Sequence, residues 1–324
     1  MRKWLTAFAF LTSVLVTTLV VTGPARAAPD QVFVDPNVGL DVNPCTETSP
    51  CQTLDRAGVV VADSGTITVL SSGVLTPTTI TKGITINCPR VTCLIDSSAN
   101  ANGGTGTTAV TINAPGKTVQ LVDVSVTGFG TGLVGVTVSD VDKLYIRGGS
   151  ITGEATCLSF TPSTAATSHL VIDDEEIHNC NSRNVSIVPT SSNSASVLIR
   201  NSRVHHAQLG IFADATAGTG GVSLVLVNSF VGFQNNNSVL ARGNASGGAP
   251  ARVLIDSSSI SYSSGNCVFS FNATATISLT KTQVTQCTQA LNSTNGGGLF
   301  TYGDNAIHFN TADGNTPTTA GGFR

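Results

Sequence analysis

The chain has 324 residues, of which only 11% are charged, with 16 Lys and Arg against 19 Asp and Glu. Setting aside Arg2, Lys3 and Arg26 of the N-terminal leader leaves 13 basic residues against 19 acidic ones. That net charge of −6 argues against nucleic acid and anionic membranes as partners. Lys and Glu are scarce while Val, Ile and Thr are plentiful, which points to an all-β chain rather than a helical one.

Arg2 and Lys3 precede an apolar run from Trp4 to Val21, then Gly23-Pro24 and Ala25-Arg26-Ala27. This is the order of a secretory signal peptide over residues 1–27, cut after Ala27 or Ala28. The run is short for a membrane anchor and ends in a helix breaker beside small residues. No later stretch is apolar for long enough to span a bilayer. The mature chain is therefore expected outside the cytoplasm, extracellular or periplasmic, with no membrane span.

Residues 28–65 are expected to cap the molecule. Pro, Asn and Asp break Val32–Gly58 into turns, and Thr53–Ala62 has helical spacing, with Thr53 as N-cap and Gly65 closing the helix. Residues 66–310 carry the main pattern. Thr66–Leu70, Ile84–Cys88 and Val110–Ile112 open it irregularly. From Val119 one motif then recurs eight times, ending at the anchors Val126, Ile151, Ile177, Val204, Val231, Ile260, Val284 and Ile307. Five residues before each anchor stands Leu121, Ile146, Ile172, Ile199, Leu226, Ile255, Leu279 or Tyr302. Seven before stands Val119, Leu144, Leu170, Val197, Leu224, Val253, Ile277 or Phe300. Three apolar columns at a period in the twenties describe a solenoid whose turns bury their faces by stacking. About ten coils are expected. The bend at position −3 carries Asp123, Asp174, Asn201, Asn228, Ser257 or Asp304, with Asn201 and Asn228 placed for an amide ladder. Length variation falls after the anchor, in loops such as Ala215–Gly221 and Asn244–Pro250. Residues 311–324 form a Gly- and Thr-rich tail, expected to be loosely ordered.

All eight Cys follow the leader, as suits disulfides in an oxidising compartment. Cys45 with Cys51 and Cys88 with Cys93 are local pairs. Cys157 and Cys180, and likewise Cys267 and Cys287, make the same jump between adjacent coils. Coils stack at about 4.8 Å, within reach of a disulfide. No CxxC pairs with a His cluster, so neither a metal nor any other cofactor is expected.

The stretch VDPN…NPCTETSPCQT, a short helix and then Thr-Ile-Thr strands resemble the opening of secreted bacterial parallel β-helix proteins of the pectin-lyase-like superfamily. The resemblance covers essentially the whole mature chain and implies a right-handed parallel β-helix. For activity it implies a range of lyases, hydrolases and epimerases. The Gly-His-Gly and Arg-Ile-Lys signatures of galacturonan hydrolases do not occur here.

Asp173-Asp174-Glu175-Glu176 is the dense charge cluster. Paired carboxylates invite general acid–base chemistry. The register offers another account: position −4 stacks Arg147, Asp173 and Arg200, and position −1 stacks Glu176 on Arg203, an ion ladder. Glu175 stands in a column of small residues, Ser202, Ser229, Ser258 and Thr282, with no basic partner. His178 and His205 share position +1, His206 follows, and His308 repeats it near the end. The low-ranked catalytic candidates are Asp174, Glu175, Glu176 and His205. Position −6, expected to face solvent, holds Tyr145, Val171, Leu198, Val225 and Leu254, a stripe that either meets a partner or lies under a tail or loop. Tyr262, Phe233, Phe269 and Phe271 are the aromatics best placed to stack on sugar rings. The expectation is a non-catalytic solenoid presenting a surface to glycan or protein. A polysaccharide lyase or glycoside hydrolase is the alternative, and a cell-surface protein self-associating through the stripe is the third.

Overall fold

The computed structural model describes residues 27–98, 106–164, 167–245 and 247–319, so the expected signal peptide lies almost entirely outside the described residues. Within them every strand ladder is parallel, and each rung pairs with the one a turn before and a turn after. The result is a parallel β-solenoid of about eight turns with a single helix. The expected count of about ten coils differs slightly and leaves the fold unchanged.

Three faces repeat. The first holds the rungs Thr167–Asp173, Ser194–Arg200, Val222–Val227, Ala251–Asp256 and Ala275–Thr280. The second holds Glu176–His178, the start of Arg203–Asp214, the start of Phe230–Arg242, and Ser259–Ser263. The third holds Arg183–Ile187 and its stacked successors. Strand alternation turns positions −7, −5 and the anchor inward. Leu170, Ile172, Ile177, Ile199, Leu226 and Ile255 are wholly buried.

The corners explain the period. In six turns position −3 is left-handed in a non-glycine residue: Asp123, Asp174, Asn201, Asn228, Ser257 and Lys281. Position +2 is left-handed too, at Asn179, His206, Phe233, Tyr262, Gln286 and Phe309. One residue of reversed φ turns the strand, while its N–H still bonds to the neighbouring turn: Asp174 N–H to Arg200 O at 3.2 Å and Asn201 N–H to Val227 O at 3.2 Å. The strain of about 1 kcal/mol or more per left-handed residue is tolerated because the ladders on both sides hold it.

The last repeat is shifted from its sequence assignment. Ile277 pairs with Leu299 and Leu279 with Thr301, so Leu299 is the inward residue and Phe300 stacks on outward Ser278. Tyr302 is 42% exposed. Gly303 takes the left-handed conformation here and adds one residue to the corner. The ladder also continues past residue 310. Ala312–Gly314 pairs with Gln289 and Leu291, where a loosely ordered tail was expected. Asn310 and Asn315 tie that segment down by accepting the Cys287 and Ser293 N–H groups at 3.0 and 2.8 Å.

At the other end Gln31–Val34 pairs with Thr66–Val69 as the first rung. The helix Leu54–Val60 covers it, its N-terminus capped by Thr53 Oγ1 accepting the Arg56 N–H at 3.2 Å. Leu54 and Ala57 are buried beneath it. All four expected disulfides form: Cys45–Cys51, Cys88–Cys93, Cys157–Cys180 and Cys267–Cys287. The last two are inter-coil staples.

Candidate functional site

The acidic run divides by strand alternation. Asp173 faces outward at the end of the first face, 2.7 Å from Arg200, 3.6 Å from Arg147 and 3.0 Å from the amide of Asn201. Arg200, then burial acting against it, set the balance that holds Asp173 below the usual carboxylate range. This is the expected ion ladder, and the expected amide ladder continues it with Asn228 Nδ2 donating to Asn201 Oδ1 at 2.8 Å. Asp174 is the exposed left-handed corner.

Glu175 points the other way. It is 2% exposed, and neither carboxylate oxygen has a hydrogen-bond partner among the described residues. Its column explains the direction. Ser202, Ser229 and Ser258 at the same position are buried and form a hydroxyl ladder. Each serine donates to the carbonyl two residues before it at 2.7 Å and accepts the N–H of the preceding turn at 3.2 Å. Glu175 heads this ladder, one turn after Gly149. Burial, aided by the charges of Asp174 and Asp123, raises its pKa well above the ordinary value. Glu175 is thus an interior acid and stands apart from the outward groups.

Glu176 faces out on the second face, and here the other candidates gather. Its Oε1 lies 3.0 Å from His205 Nε2 and 4.0 Å from Arg203. His205 Nδ1 lies 2.6 Å from His206 Nδ1, and His178 stacks on His205 at 5.1 Å between ring centroids. The His205 hydrogen bond leads the causes that hold Glu176 below the ordinary glutamate range. Burial leads those that lower His205 and His178. Both imidazoles are therefore neutral at pH 7, and the contacts assign the tautomers. His205 donates Nε2–H to Glu176 and accepts at Nδ1 from His206. The exposed His206 thus ends a Glu–His–His chain of contacts. His308 repeats the column four turns further on and is not part of this group.

Beside this group runs an open polar groove. Asn201, Asn228, Ser257 and Lys281 form one rim, Arg203, Phe230, Ser259 and Gln283 the other, with Ser202, Ser229 and Ser258 between them. Arg203 spreads over the Phe230 ring at 5.2 Å. Phe230 leans across the backbone at Gly232, where a side chain would collide with it. The aromatic residues of the second corner behave differently from expectation. His206, Phe233 and Tyr262 stack face to face at 4.9 and 4.6 Å with planes within 10°. The faces of Phe233 are thus occupied by its neighbours and only its edge meets solvent. Phe269 and Phe271 lie on the third face, away from the groove.

Sequence reasoning missed the groove, and it noted His206 without placing it among the catalytic candidates. The groove follows from the left-handed −3 corner, and the His206 contact from the left-handed +2 corner that swings residue 206 back toward His205; no sequence pattern announces either turn. No group of three or more His, Cys, Asp or Glu among the described residues is arranged to hold a metal ion.

The backbone has solved counterparts. The crystal structure of a pectate lyase, Pel9A, matches with a TM-score of 0.62 at 15% identity, over 87% of this chain and 78% of that one. The fold is that of the pectin-lyase-like parallel β-helix. A xylose complex of XylC (TM-score 0.49, 10% identity, 81% of this chain and 69% of that one) and a rhamnogalacturonan lyase (0.47, 11%, 79% and 82%) also align. No protein-family model and no curated protein sequence matches the chain. Four disulfides, and no helix among the described residues long and apolar enough to cross a membrane, are compatible with an extracellular or periplasmic location.

Proposed function

We propose that this is a secreted, polysaccharide-active β-solenoid. A glycan chain lies along the groove between the Asn201–Lys281 and Arg203–Gln283 rims, and Glu176, His205 and His206 supply acid–base chemistry at its N-terminal end. The contact chain from Glu176 through His205 to His206 carries this reading, because it sets oriented imidazoles beside a groove with polar rims. The rim amides of Asn201 and Asn228 and the rim hydroxyls of Ser257 and Ser259 match the donors and acceptors of sugar hydroxyls. Arg203 and Lys281 offer cations to any acidic sugar. The pectate-lyase fold supports carbohydrate as the ligand class by analogy.

Reducing-end release from a panel of neutral and acidic polysaccharides tests it, together with retention of the same glycans. The expected result is turnover by the native protein, reduced about a hundredfold or more in His205→Gln and Glu176→Gln while glycan retention persists. Retention without any turnover in the native protein would establish the non-catalytic scaffold instead. Failure to retain any glycan, with Asn228→Ala unchanged, would overturn the groove itself.

A further inference from the structure

Glu154 belongs to none of the ladders above. It stands three residues after the anchor Ile151, just beyond the left-handed Gly153, and its carboxyl meets Gly128 and Gly132 of the preceding turn and Ser97 of the turn before that. It is wholly buried. Ser97 Oγ donates to its Oε1 at 2.7 Å, while Oε2 has no hydrogen-bond partner among the described residues. Among the described residues, glycine backbone lies against that oxygen. The positions that side chains would take at Gly128 and Gly132 fall 2.5 Å and less from Oε2, so only glycine at both leaves the carboxyl its space. The strand after Val126 therefore wraps around the carboxyl as Gly128-Phe129-Gly130-Thr131-Gly132. Phe129 and Gly130 are both left-handed in it, and Phe129 is 68% exposed. Ser97 in turn ties its own rung down by donating its N–H to Thr127 O at 2.9 Å.

We propose that Glu154 is a proton-operated latch: with the carboxyl neutral, the 128–132 segment closes over it, and ionisation releases that segment to let water in. A neutral carboxyl fits a pocket with one donor and close-packed backbone, whereas a carboxylate there has a single hydroxyl to replace its hydration shell. Opening the segment is the shortest route to rehydration, since its glycines have little side-chain packing to lose. Burial, partly offset by the Ser97 hydrogen bond and reinforced by the nearby charge of Asp96, pushes the Glu154 pKa up to about 7. No other charged group acts on it to a resolved degree. The latch is then closed in mildly acidic surroundings and opens as pH rises past neutrality. Its position, two turns before His205 along the second corner, makes it independent of the polysaccharide reading.

Amide hydrogen exchange of residues 127–133, corrected for the intrinsic pH dependence of exchange, tests this in the native protein between about pH 5.5 and 8.5. Protection should hold steady below pH 7 and fall by up to about tenfold per pH unit above it. In Glu154→Gln the segment should stay protected across the range. Ser97→Ala removes the one donor to the anion, so its fall in protection should begin at higher pH, and this variant serves if the glutamine protein does not fold. Protection that is flat with pH in the native chain, or a fall of equal size in Glu154→Gln, overturns the latch.

Discussion

Glu175 is an acid where the next three turns place serine hydroxyls, and it has no partner to stabilise its charge. Its raised pKa fixes the sign of its effect on stability. The folded chain binds this proton more tightly than the unfolded chain, so the contribution is complete below the ordinary glutamate pKa of about 4.3 and is lost as pH rises through the folded value. Glu175→Gln should therefore stabilise the protein at alkaline pH by roughly 1–3 kcal/mol and change little near pH 4, as read from melting temperatures at both. The His pair runs the other way. His205 and His178 have lowered pKa values, so acid charges them against their surroundings. A protonated His205 no longer accepts from His206 at Nδ1, and polysaccharide turnover should fall on the acid side through the folded imidazole value. A rate that stays constant as the imidazoles protonate would remove them from the chemistry.

Most of the solenoid could be read at the level of elements. The inward columns show in the sequence because burial is periodic and strand alternation fixes direction. Cys157 and Cys180 could be paired for the same reason, by their shared offset from the anchors. That staple closes a separation of 23 residues, which corresponds to about 3 kcal/mol of stability. Replacing both cysteines by Ala should lower the guanidinium midpoint and steepen the slope, because the unfolded chain without the cross-link exposes more surface. What could not be read lies at corners. The Phe300 and Tyr302 assignment slipped by one residue because Gly303 lengthens a turn while leaving an apolar residue at each alternate place. Glu175 looked like the most reactive acid because its column contrasts with its neighbours. The inward direction of that column depends on the left-handed residue before it, a conformation Asp174 tolerates better than most side chains do. His206 was passed over for the same cause. A β-branched residue tests the point: Asn201→Val should cost about 1–2 kcal/mol from backbone strain alone and more from the broken amide ladder.

At the scale of the molecule, each turn touches only its neighbours, so stability is a sum of turn-to-turn interfaces and the ends are the places to start unravelling. The N-terminal end is covered by the helix Leu54–Val60. Leu54→Ala should cost about 2–5 kcal/mol and should speed amide exchange first in the rungs Gln31–Val34 and Gly65–Val69, leaving Ala251–Asp256 protected. Equal loss of protection throughout would mean that the turns unfold as one unit. The outward stripe from Tyr145 to Leu254 is half exposed along its length. Leu198→Asp is the probe of whether this stripe makes the contact expected from the sequence. An unchanged oligomeric state and protease resistance would rule that role out.

The corners at positions −3 and +2 hold a fixed distance from the anchor, so differences in repeat length are taken up elsewhere. They collect in the loops that lead from the third face back to the first, such as the one holding Gly247, which is left-handed with no atom within 4 Å of where a side chain would start. Peptide inserted at Gly247 lengthens a loop without moving a rung, and loop closure costs only about 0.6 kcal/mol for each doubling of length. That side of the molecule is in effect a rack of parallel sockets about 4.8 Å apart, where guest sequences mounted on successive turns would stand in fixed order.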